Sequence, residues 1–308
     1  MYSVSFCCDD RYIAPACVAV ESILKNCGNN AKEFVFYTFS NDLCESNIDK
    51  LKKLVESYKS TLEIVRISDD LMNDVMGSVQ LNVKHISRAT YFRLLLPFFL
   101  KQVETCLYID CDILVRGDIT PIFGLIREDK CICAVADDGS EYYAKQIGVK
   151  EYYNAGVLLM NFRAIRNLYT MEDFCKKIKS LLVERNLLMG DQDIVNLLYQ
   201  DSLFRLSSKY NYQKHLKKLY SLTTGKKDLK DAVIVHYVTK DKPWQPSFFF
   251  PYVKEYYCYM KKYMTKKRRI LYWIGKPYGF VKHTIEYCCL DILHYARIVK
   301  HKLIDKDG

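Results

Sequence analysis

The chain has 308 residues, of which 50% are hydrophobic and 27% charged, and its formal net charge is +10. This length and apolar content suffice for one large α/β domain, or for a domain with an appendage. No apolar stretch reaches the ~18 residues that a membrane span requires, and the 13 cysteines include no C-x₂-C pairs at zinc spacing, so the composition excludes a membrane-spanning protein and a cysteine-based zinc site.

Strand-like and helix-like runs alternate from the start of the chain. Between the second strand and the second helix, the cluster Ser40-Asn41-Asp42 is suited to an N-cap. The predicted strands are Val4–Cys8, Glu33–Phe39 and Leu62–Ile67, and the predicted helices are about Pro15–Cys27 and Leu43–Tyr58.

The alternation continues in the second half of the chain. The predicted strands are Leu107–Val115, Cys131–Ala136, Gly156–Met160 and Val233–Tyr237, and the predicted helices are Ser87–Leu100 with a stop or kink near Pro97, Met171–Asn186 and Ile194–Tyr199. Because the strands are apolar throughout, we predict an α/β fold with a mostly parallel sheet covered by helices on both faces. In such a sheet, ligands bind outside the carboxyl ends of the strands.

Asp110 and Asp112 lie two residues apart in the apolar run Leu107–Val115. Side chains alternate along a strand, so the two carboxylates should point the same way. Unpaired carboxylates repel each other and are costly to bury, and a hard divalent cation such as Mg²⁺ or Mn²⁺ removes that cost. A metal-bound nucleotide is therefore the first hypothesis. The alternative is a pair of acids at a solvent-exposed strand end.

A second acidic cluster ends the first predicted strand. Asp9 could accept hydrogen bonds from a base or a ribose, and the backbone of Cys7 offers N–H and C=O groups to a base edge. The sequence contains neither G-x-G-x-x-G nor G-x₄-G-K-[ST], which argues against a dinucleotide dehydrogenase and a P-loop enzyme. Without a glycine loop, a metal and basic side chains must neutralise the phosphate charge.

Two polar motifs precede later elements. Tyr153-Asn154-Ala155-Gly156-Val157 sets an amide and small residues before an apolar strand, where the hydroxyls of a ligand can approach the backbone. Gly190-Asp191-Gln192-Asp193 precedes the helix at Ile194. Acids at that position are also good N-caps, so the capping alternative stays open for Asp191 and Asp193, whereas Gln192 has no capping need.

One histidine, His236, lies at the end of the apolar strand Val233–Tyr237. A lone histidine in such a place is more often structural than a ligand. Because two carboxylates already require a third ligand, we predict that His236 completes a metal site with Asp110 and Asp112.

Taken in order, these motifs resemble glycosyltransferase family 8, and most closely the bacterial lipopolysaccharide α-galactosyl- and α-glucosyltransferases. The resemblance covers about residues 1–245. The motifs that carry it are Phe6-Cys7-Cys8-Asp9-Asp10, His85-Ile86-Ser87 with Thr90–Leu94, Leu107–Asp112, Tyr153–Leu159, Gly190–Ile194, and His236-Tyr237 with Lys242-Pro243-Trp244.

The resemblance implies a glycosyltransferase-A type fold, a Rossmann-like mixed sheet flanked by helices, with Mn²⁺ or Mg²⁺ as cofactor and a UDP-sugar as donor. The implied metal ligands are Asp110, Asp112 and His236. The implied donor contacts are Asp9 and the Cys7 backbone for uridine, Arg93 and Asp110 for the ribose or sugar, Lys242 for the diphosphate, and Asp137, Asn154, Ala155, Asp191 and Gln192 around the transferred sugar. Arg11 joins the donor-binding set as a departure, because relatives carry a smaller polar residue there.

The implied reaction moves galactose or glucose to a glycan acceptor with retention of anomeric configuration, in the synthesis of lipopolysaccharide or another cell-surface polysaccharide. Gln192 matches the residue beneath the anomeric carbon, with Asp191 as the second catalytic candidate. An amide is a poor nucleophile, which favours front-face substitution over a covalent intermediate. Two alternatives stay open: a nucleotidyltransferase, and a non-catalytic module that binds a nucleotide-sugar or nucleic acid. We expect no nucleic acid, since the sequence has no such motif.

Positive charge is concentrated in the C-terminal tail. Residues 261–308 hold 12 Lys and Arg against 4 Asp and Glu, a net charge of +8, which leaves +2 for residues 1–260. We therefore predict a nucleotide-sugar-binding catalytic domain at residues 1–250 and a basic, aromatic-rich helical extension at residues 251–308. An apolar helical stripe is predicted after Pro277, at Ile285, Cys288, Cys289, Ile292, Tyr295, Ala296 and Val299.

The basic cluster and the pair Tyr272-Trp273 suit an anchor for anionic lipid headgroups, where a lipid-linked acceptor would be found. The alternative is a helix packed on the catalytic domain. The N-terminus lacks a basic head and a long apolar run, so we expect no signal peptide, and we interpret the scattered cysteines as reduced thiols. The prediction is a cytoplasmic protein held at the inner face of the cell membrane.

Overall fold

A computed structural model describes residues 1–68, 70–71, 88–185, 187–213, 230–238, 242–246 and 253–277. The chain divides into two compact units, one of residues 1–215 with 221–238 and one of residues 216–220 with 239–308. The boundary that composition predicts at residue 250 falls outside the described residues and stays a prediction.

Two sheets form the first unit. The larger sheet contains β1 (Tyr2–Cys7), β2 (Phe34–Ser40), β3 (Thr61–Arg66), β4 (Thr105–Ile109), β6 (Ile132–Ala136), β7 (Tyr153–Asn161) and β8 (Leu203–Arg205), and the smaller one β5 (Ile113–Val115), β9 (Tyr212–Gln213) and β10 (Ile234–His236). The strand order is β3-β2-β1-β4-β7-β6-β8 in the larger sheet and β5-β10-β9 in the smaller.

The direction of β7 makes the larger sheet mixed. Strands β1 to β4 pair in parallel, as do β6 and β8, but β7 runs antiparallel to both β4 and β6. The sheet is mostly parallel, as predicted, and β7 is the one reversed strand among those described, because a helix between two strands permits either direction. As a result, the first residues of β7 lie beside the carboxyl end of β4, and the Asp110 N–H donates to the Gly156 carbonyl at 2.8 Å.

Helices flank this sheet, and most predicted helices are confirmed with small shifts at their ends. They are α1 (Ile13–Asn26), α2 (Glu45–Glu56), α3 (Phe92–Phe99, with Pro97 inside), α4 (Thr120–Phe123), α5 (Ser140–Ile147), α6 (Phe162–Leu168), α7 (Met171–Glu184) and α8 (Asp191–Tyr199). Helix α3 begins at Phe92, after a 3₁₀ turn over Arg88–Tyr91. Ser87, where the predicted helix begins, lies outside the described residues.

The N-terminus of α2 is capped differently from the prediction. The Ser40 hydroxyl accepts the Leu43 N–H at 3.1 Å, but the helix begins at Glu45. The Cys44 N–H at the start of the helix donates to Asp10 Oδ1 at 3.0 Å, and the Asn47 side-chain amide donates to the same oxygen at 2.8 Å. Asp10 therefore links the loop after β1 to the start of α2.

The apolar face of α3 carries a charged residue into the interior. Phe92, Leu95 and Leu96 are buried in the main hydrophobic core, together with Tyr108 of β4 and Leu158 of β7. Arg93 lies between them in sequence and is buried as well. Because an unpaired buried charge is costly, the fold must supply acidic partners for Arg93.

The described part of the second unit is helical. Helix α9 spans Val253–Met260, a 3₁₀ turn follows, and residues 266–277 form α10. The Tyr272 ring stacks on Tyr257 with 4.7 Å between centroids, and its hydroxyl donates to the Pro243 carbonyl at 3.1 Å. The stripe predicted after Pro277 lies outside the described residues. Among the helices that are described, none is long and apolar enough to cross a bilayer.

Candidate active site

The two acids of the metal motif do not lie within one strand. The predicted strand Leu107–Val115 is divided into β4 and β5, and Asp110-Cys111-Asp112 forms the link between the two sheets. Strand β10 pairs antiparallel with β5, with His236 opposite Ile113. This register brings His236 to the same link as the two aspartates.

Asp110, Asp112 and His236 converge on one point. Each offers a ligand atom that lies within 4.8 Å of the other two. His236 Nε2 is 3.3 Å from Asp112 Oδ1 and 3.6 Å from Asp110 Oδ2. Two carboxylate oxygens and one imidazole nitrogen are a donor set that Mn²⁺ accepts, and Mg²⁺ takes the same oxygens.

Gly156 leaves the space that this convergence needs. A Cβ atom at Gly156 would lie 2.0 Å from His236 Cε1 and 2.9 Å from Asp110 Oδ2. Any side chain there would displace the imidazole or the carboxylate. The glycine and the donor set together show that these residues fit a divalent ion.

A buried ion network holds Asp110 in place. Arg93 Nη2 is 3.1 Å from Asp110 Oδ1, Arg93 Nε is 2.8 Å from Asp191 Oδ2, and Arg93 Nη1 donates to the Ala155 carbonyl at 2.6 Å. The Tyr108 hydroxyl donates to Asp110 Oδ1 at 2.8 Å. Oδ1 of Asp110 is therefore engaged by Arg93 and Tyr108, while Oδ2 faces His236.

Burial shapes the electrostatics of this network. Burial raises the pKa of Asp191 above its ordinary value, although the Arg93 guanidinium opposes that shift. Burial alone would lower the pKa of Arg93, but Asp110 and Asp191 outweigh it and raise that pKa. Arg93 is thus a permanent cation between two carboxylates.

A second cluster joins four predicted sugar-pocket residues. Gln192 Oε1 accepts the Ala155 N–H at 2.9 Å and the Asn154 amide at 3.2 Å, while Gln192 Nε2 donates to Asp137 Oδ2 at 3.3 Å. Asn154 Nδ2 also donates to Asp137 Oδ2, at 3.0 Å. The name buried network is used below for seven residues, of which Asp110 and Asp137 are only partly buried: Arg93, Asp110, Asp137, Asn154, Asp191, Gln192 and His236.

The segment Cys7–Tyr12, called the nucleotide loop below, is built locally. Asp9 Oδ1 accepts the N–H groups of Arg11 and Tyr12, each at 3.0 Å. Asp9 Oδ2 accepts Arg11 Nε at 2.9 Å and Nη2 at 2.6 Å. A carboxylate has about four acceptor positions, so these four hydrogen bonds occupy the acceptor positions that Asp9 was predicted to offer to a base or a ribose.

Two further predicted donor contacts lie at residues whose backbone groups form hydrogen bonds within the protein. The Cys7 carbonyl accepts the Cys111 thiol at 3.2 Å, which ties the nucleotide loop to the metal link. Lys242 belongs to the second unit, where its backbone N–H donates to Gln245 Oε1 at 2.9 Å. Its assignment to the diphosphate stays a prediction.

The two acids at the start of α8 have different roles, and only Asp193 bonds to backbone N–H groups of the preceding loop. Asp193 Oδ2 accepts the N–H groups of Leu188 and Met189 at 2.6 and 2.8 Å, and its other oxygen accepts the Tyr152 hydroxyl. Asp193 therefore ties down the preceding loop. Asp191 instead pairs with Arg93, so it belongs to the buried network.

Sequence reasoning missed three side chains of this site. Tyr108 lies two residues before Asp110, and strand alternation could have found it. Partial burial, with a contribution from the Asp112 carboxylate, raises the pKa of Tyr12 to about 12, so Tyr12 lies near both acidic clusters. Asn211, whose Oδ1 is 3.0 Å from His236 Nδ1, has no signal in the sequence.

The sequence is similar to a known protein family and to several of its members. The sequence matches the profile of Glycosyl transferase family 8 over residues 3–247. General stress protein A of Bacillus subtilis is 26% identical over 272 residues, covering 84% of this chain and 93% of the relative. A lipopolysaccharide 1,2-glucosyltransferase of Escherichia coli is 25% identical over 254 residues, covering 79% of this chain and 73% of the relative.

A solved structure shares the fold. The galactosyltransferase LgtC, crystallised with donor and acceptor sugar analogues, superimposes with a TM-score of 0.71 at 22% identity, covering 87% of this chain and 99% of LgtC. The mixed sheet flanked by helices is therefore common to both proteins.

Proposed function

The chain belongs to glycosyl transferase family 8, as its motifs predict, and we propose that it transfers galactose or glucose from a UDP-sugar to a glycan acceptor with retention of configuration. The observation that carries this proposal is the convergence of Asp110, Asp112 and His236 beside the buried Arg93–Asp191 pair. The lipopolysaccharide glucosyltransferase among its relatives supports a hexose donor, and an acceptor in lipopolysaccharide or another cell-surface polysaccharide.

The nucleotide loop is the proposed uridine site. Asp9 would accept a base N–H, and the Cys7 backbone would meet the base edge. Since Arg11 already engages Asp9 Oδ2, the base must displace its guanidinium. The Arg11 side chain is 78% exposed, so it can turn away at low cost and pair with the anionic donor.

Asp110, Asp112 and His236 are the proposed ligands for Mn²⁺, with Mg²⁺ as the alternative. The ion, when bound, supplies a Lewis acid that neutralises charge on the leaving diphosphate. The contribution of the protein is orientation: Arg93 and Tyr108 hold Asp110 by Oδ1 and leave Oδ2 toward His236. Because these partners are buried, the ligand geometry is set before the donor binds.

Gln192 and Asp191 are the proposed catalytic residues. Both lone-pair directions of Gln192 Oε1 are engaged, by the Ala155 N–H and the Asn154 amide, which makes this oxygen a weak nucleophile. This supports front-face substitution: the bond from the anomeric carbon to the β-phosphate oxygen breaks, the acceptor hydroxyl attacks from the same face, and its proton passes to the leaving phosphate. The buried carboxylate of Asp191 and the partly buried carboxylate of Asp137 favour the positive charge that develops on the sugar.

A donor panel tests the function. UDP-galactose, UDP-glucose and other UDP-sugars are incubated with the protein with and without Mn²⁺, and released UDP is measured. We expect hydrolysis of one UDP-hexose that EDTA abolishes. Pyrophosphate release from UTP and a sugar phosphate would identify a nucleotidyltransferase, and binding without turnover of any donor would identify a non-catalytic module.

For the second unit, we propose attachment to an anionic membrane surface at the cytoplasmic face. Ile270, Trp273 and Ile274 follow helical i, i+3, i+4 spacing in α10 and are 60%, 50% and 67% exposed. Lys266 and Lys267 lie one turn before them. An exposed apolar strip beside basic residues suits a lipid interface. Tyr272, expected to share this role, is buried, so Trp273 is the interfacial aromatic residue.

Sedimentation with vesicles tests the attachment. Wild-type protein, the double variant I270S/I274S and the control V183S, which alters an exposed valine of α7, are mixed with phosphatidylcholine vesicles with and without phosphatidylglycerol. We expect binding to the anionic vesicles that the double variant loses, that V183S keeps, and that salt weakens because charges are screened over about 10 Å at ~0.1 M. Equal binding by all three proteins would contradict the proposal.

A further inference from the structure

We infer that Asn211 is a positioning residue that holds the proton of neutral His236 on Nδ1 and so turns the Nε2 lone pair toward Asp110 and Asp112. The functional meaning of this inference rests on the proposed metal-dependent transfer, but its physical content concerns the protein alone. Three amides connect His236 to the backbone: N–H groups of the main chain orient Gln192 and Asn154, and Asn154 in turn orients Asn211.

Asn154 is the first step. The Gly156 N–H donates to Asn154 Oδ1 at 3.0 Å, and a backbone N–H can only donate, so the atom facing it must be oxygen. The other end of the amide faces Asp137 Oδ2 at 3.0 Å and Gln192 Oε1 at 3.2 Å. Gln192 Oε1 is itself an oxygen because it accepts the Ala155 N–H. The orientation of Asn154 is therefore unambiguous.

Asn211 is the second step. Its Nδ2 lies 2.9 Å from Asn154 Oδ1. Since Asn154 presents an acceptor, Asn211 must present its NH₂ group there. Its carbonyl oxygen then faces His236 Nδ1 at 3.0 Å. An amide oxygen can only accept, so His236 Nδ1 must carry the hydrogen.

The consequence lies at His236 Nε2. In a neutral imidazole with its proton on Nδ1, Nε2 has a free lone pair. That atom is 3.3 Å from Asp112 Oδ1 and 3.6 Å from Asp110 Oδ2. A metal ion binds the neutral imidazole through such a lone pair, and the partner of the second nitrogen selects which nitrogen is available.

The position of Asn211 in the fold stabilises its hydrogen bond to His236. Asn211 is 1% exposed and directly precedes β9, which pairs with β10 so that His236 lies opposite Gln213. The backbone ladder thus fixes the separation of Asn211 and His236. The same amide connects the metal ligand to Asn154, so a change at Asn211 reaches the sugar pocket as well.

The test uses nitrogen NMR of the metal-free, full-length protein. Long-range ¹H–¹⁵N correlation spectra report which imidazole nitrogen is protonated, and H236Q identifies the His236 signals. We expect neutral His236 in the wild type to be protonated on Nδ1, and to lose that preference in N211A. N211D, which keeps an acceptor facing Nδ1, should restore it. The control N26A removes another partly buried amide, bonded to Ser22 and Val115, and should leave the His236 signals unchanged.

Mn²⁺ affinity, measured by calorimetry, is the second readout. We expect about a 10- to 100-fold loss in N211A, the range for partners of metal ligands, and a smaller loss in N211D. Protonation of wild-type His236 on Nε2 would overturn the inference without any variant. The inference would also be overturned if N211A keeps both the Nδ1 tautomer and the Mn²⁺ affinity. Neither readout requires turnover, so a failed donor panel with the expected tautomer would refute the proposed function alone.

Discussion

The nucleotide loop and the buried network are the proposed sites for opposite ends of the donor, and they are constructed differently. Within the loop, the hydrogen bonds of Asp9 join it to residues two and three positions away, and its main partner Arg11 is exposed. Within the network, Arg93 bonds to Ala155 across 62 positions, and Asn154 bonds to Asn211 across 57. The hydrogen bonds of Asp9 are local and end at an exposed arginine, whereas those of the network are long-range and mostly buried.

This difference has an energetic consequence. The guanidinium of the Arg11–Asp9 pair is exposed although Asp9 is largely buried, and ion pairs open to solvent are worth about 0.2–1 kcal/mol, so changes in the loop should tune donor affinity. Breaking a buried pair leaves an uncompensated charge and costs roughly 3–5 kcal/mol. Changes in the network should therefore abolish activity or perturb several ligands together.

The largest effect is expected for Asp112→Ala. Removal of this carboxylate leaves two of the three proposed ligands, so Mn²⁺-dependent turnover should be lost while the far-UV spectrum stays native. Mn²⁺ binding by calorimetry and UDP release check this. The control D118A removes an exposed carboxylate and should retain turnover. Full turnover in D112A would refute the metal assignment.

Gly156→Ala should come next, because its new Cβ would lie 2.0 Å from His236 Cε1. We expect displacement of the imidazole and a loss of Mn²⁺ affinity on the order of 100-fold, the upper range for changes near metal ligands. The control is G117A, whose Cβ would meet Val233 Cγ1 at an ordinary 3.7 Å. Equal behaviour of the two alanine variants would show that the glycine is not required for space.

Gln192→Ala and Asp9→Ala compare the two regions directly. Q192A should lower kcat by on the order of 100-fold with little change in UDP affinity, because its contacts lie at the proposed sugar site. D9A should raise the donor KM roughly 10-fold, the effect of one hydrogen bond to a charged group, with a smaller change in kcat. Steady-state kinetics and UDP titrations separate the two. If both variants change the same constant, one of the two assignments is wrong.

Arg11→Gln should have a small effect of opposite sign. Removal of the competing guanidinium frees Asp9 Oδ2, so affinity for uridine, which carries no phosphate, should rise roughly two- to fivefold, as the 0.2–1 kcal/mol of an exposed pair allows. Affinity for UDP should gain less, because the charge that pairs with phosphate is lost. R127Q, which alters another exposed arginine, is the control. Weaker uridine binding by R11Q would mean that Arg11 contacts the nucleoside.

Asp10→Ala should affect stability and not chemistry. The Asn47 amide and the Cys44 N–H lower the pKa of Asp10 below its ordinary value of 3.8. Loss of this cap of α2 should cost about 1 kcal/mol in the free energy of unfolding. Because the folded-state pKa is depressed, this stabilisation is present above pH 3.8 and is lost as the pH falls through the lower folded-state value.

Urea unfolding at neutral and acidic pH checks the prediction for Asp10. The difference between wild type and D10A should shrink in acid, whereas the control D201A, an exposed acid in a turn, should differ little from wild type at neutral pH. A pH-independent difference would assign the effect of D10A to something other than the carboxylate charge.

The sequence by itself determined the family, the alternation of strands and helices, and the identity of the local motifs. Asp9 with its neighbours, and Asp110 with Asp112, were found because each group lies within a few positions of the chain, where strand periodicity and capping rules apply. His236 was found by the requirement for a third ligand. These inferences depend on residue type and short spacing.

The tertiary structure alone decided how the distant pieces meet. The antiparallel direction of β7 brings Asn154 and Ala155 to the carboxyl end of β4, whereas a parallel β7 would carry them to the opposite edge of the sheet. The break between β4 and β5 and the register of β10 bring His236 to Asp112, and the pairing of β9 with β10 sets Asn211 behind it. Strand direction and register depend on contacts between residues far apart in the chain, which local sequence patterns do not record.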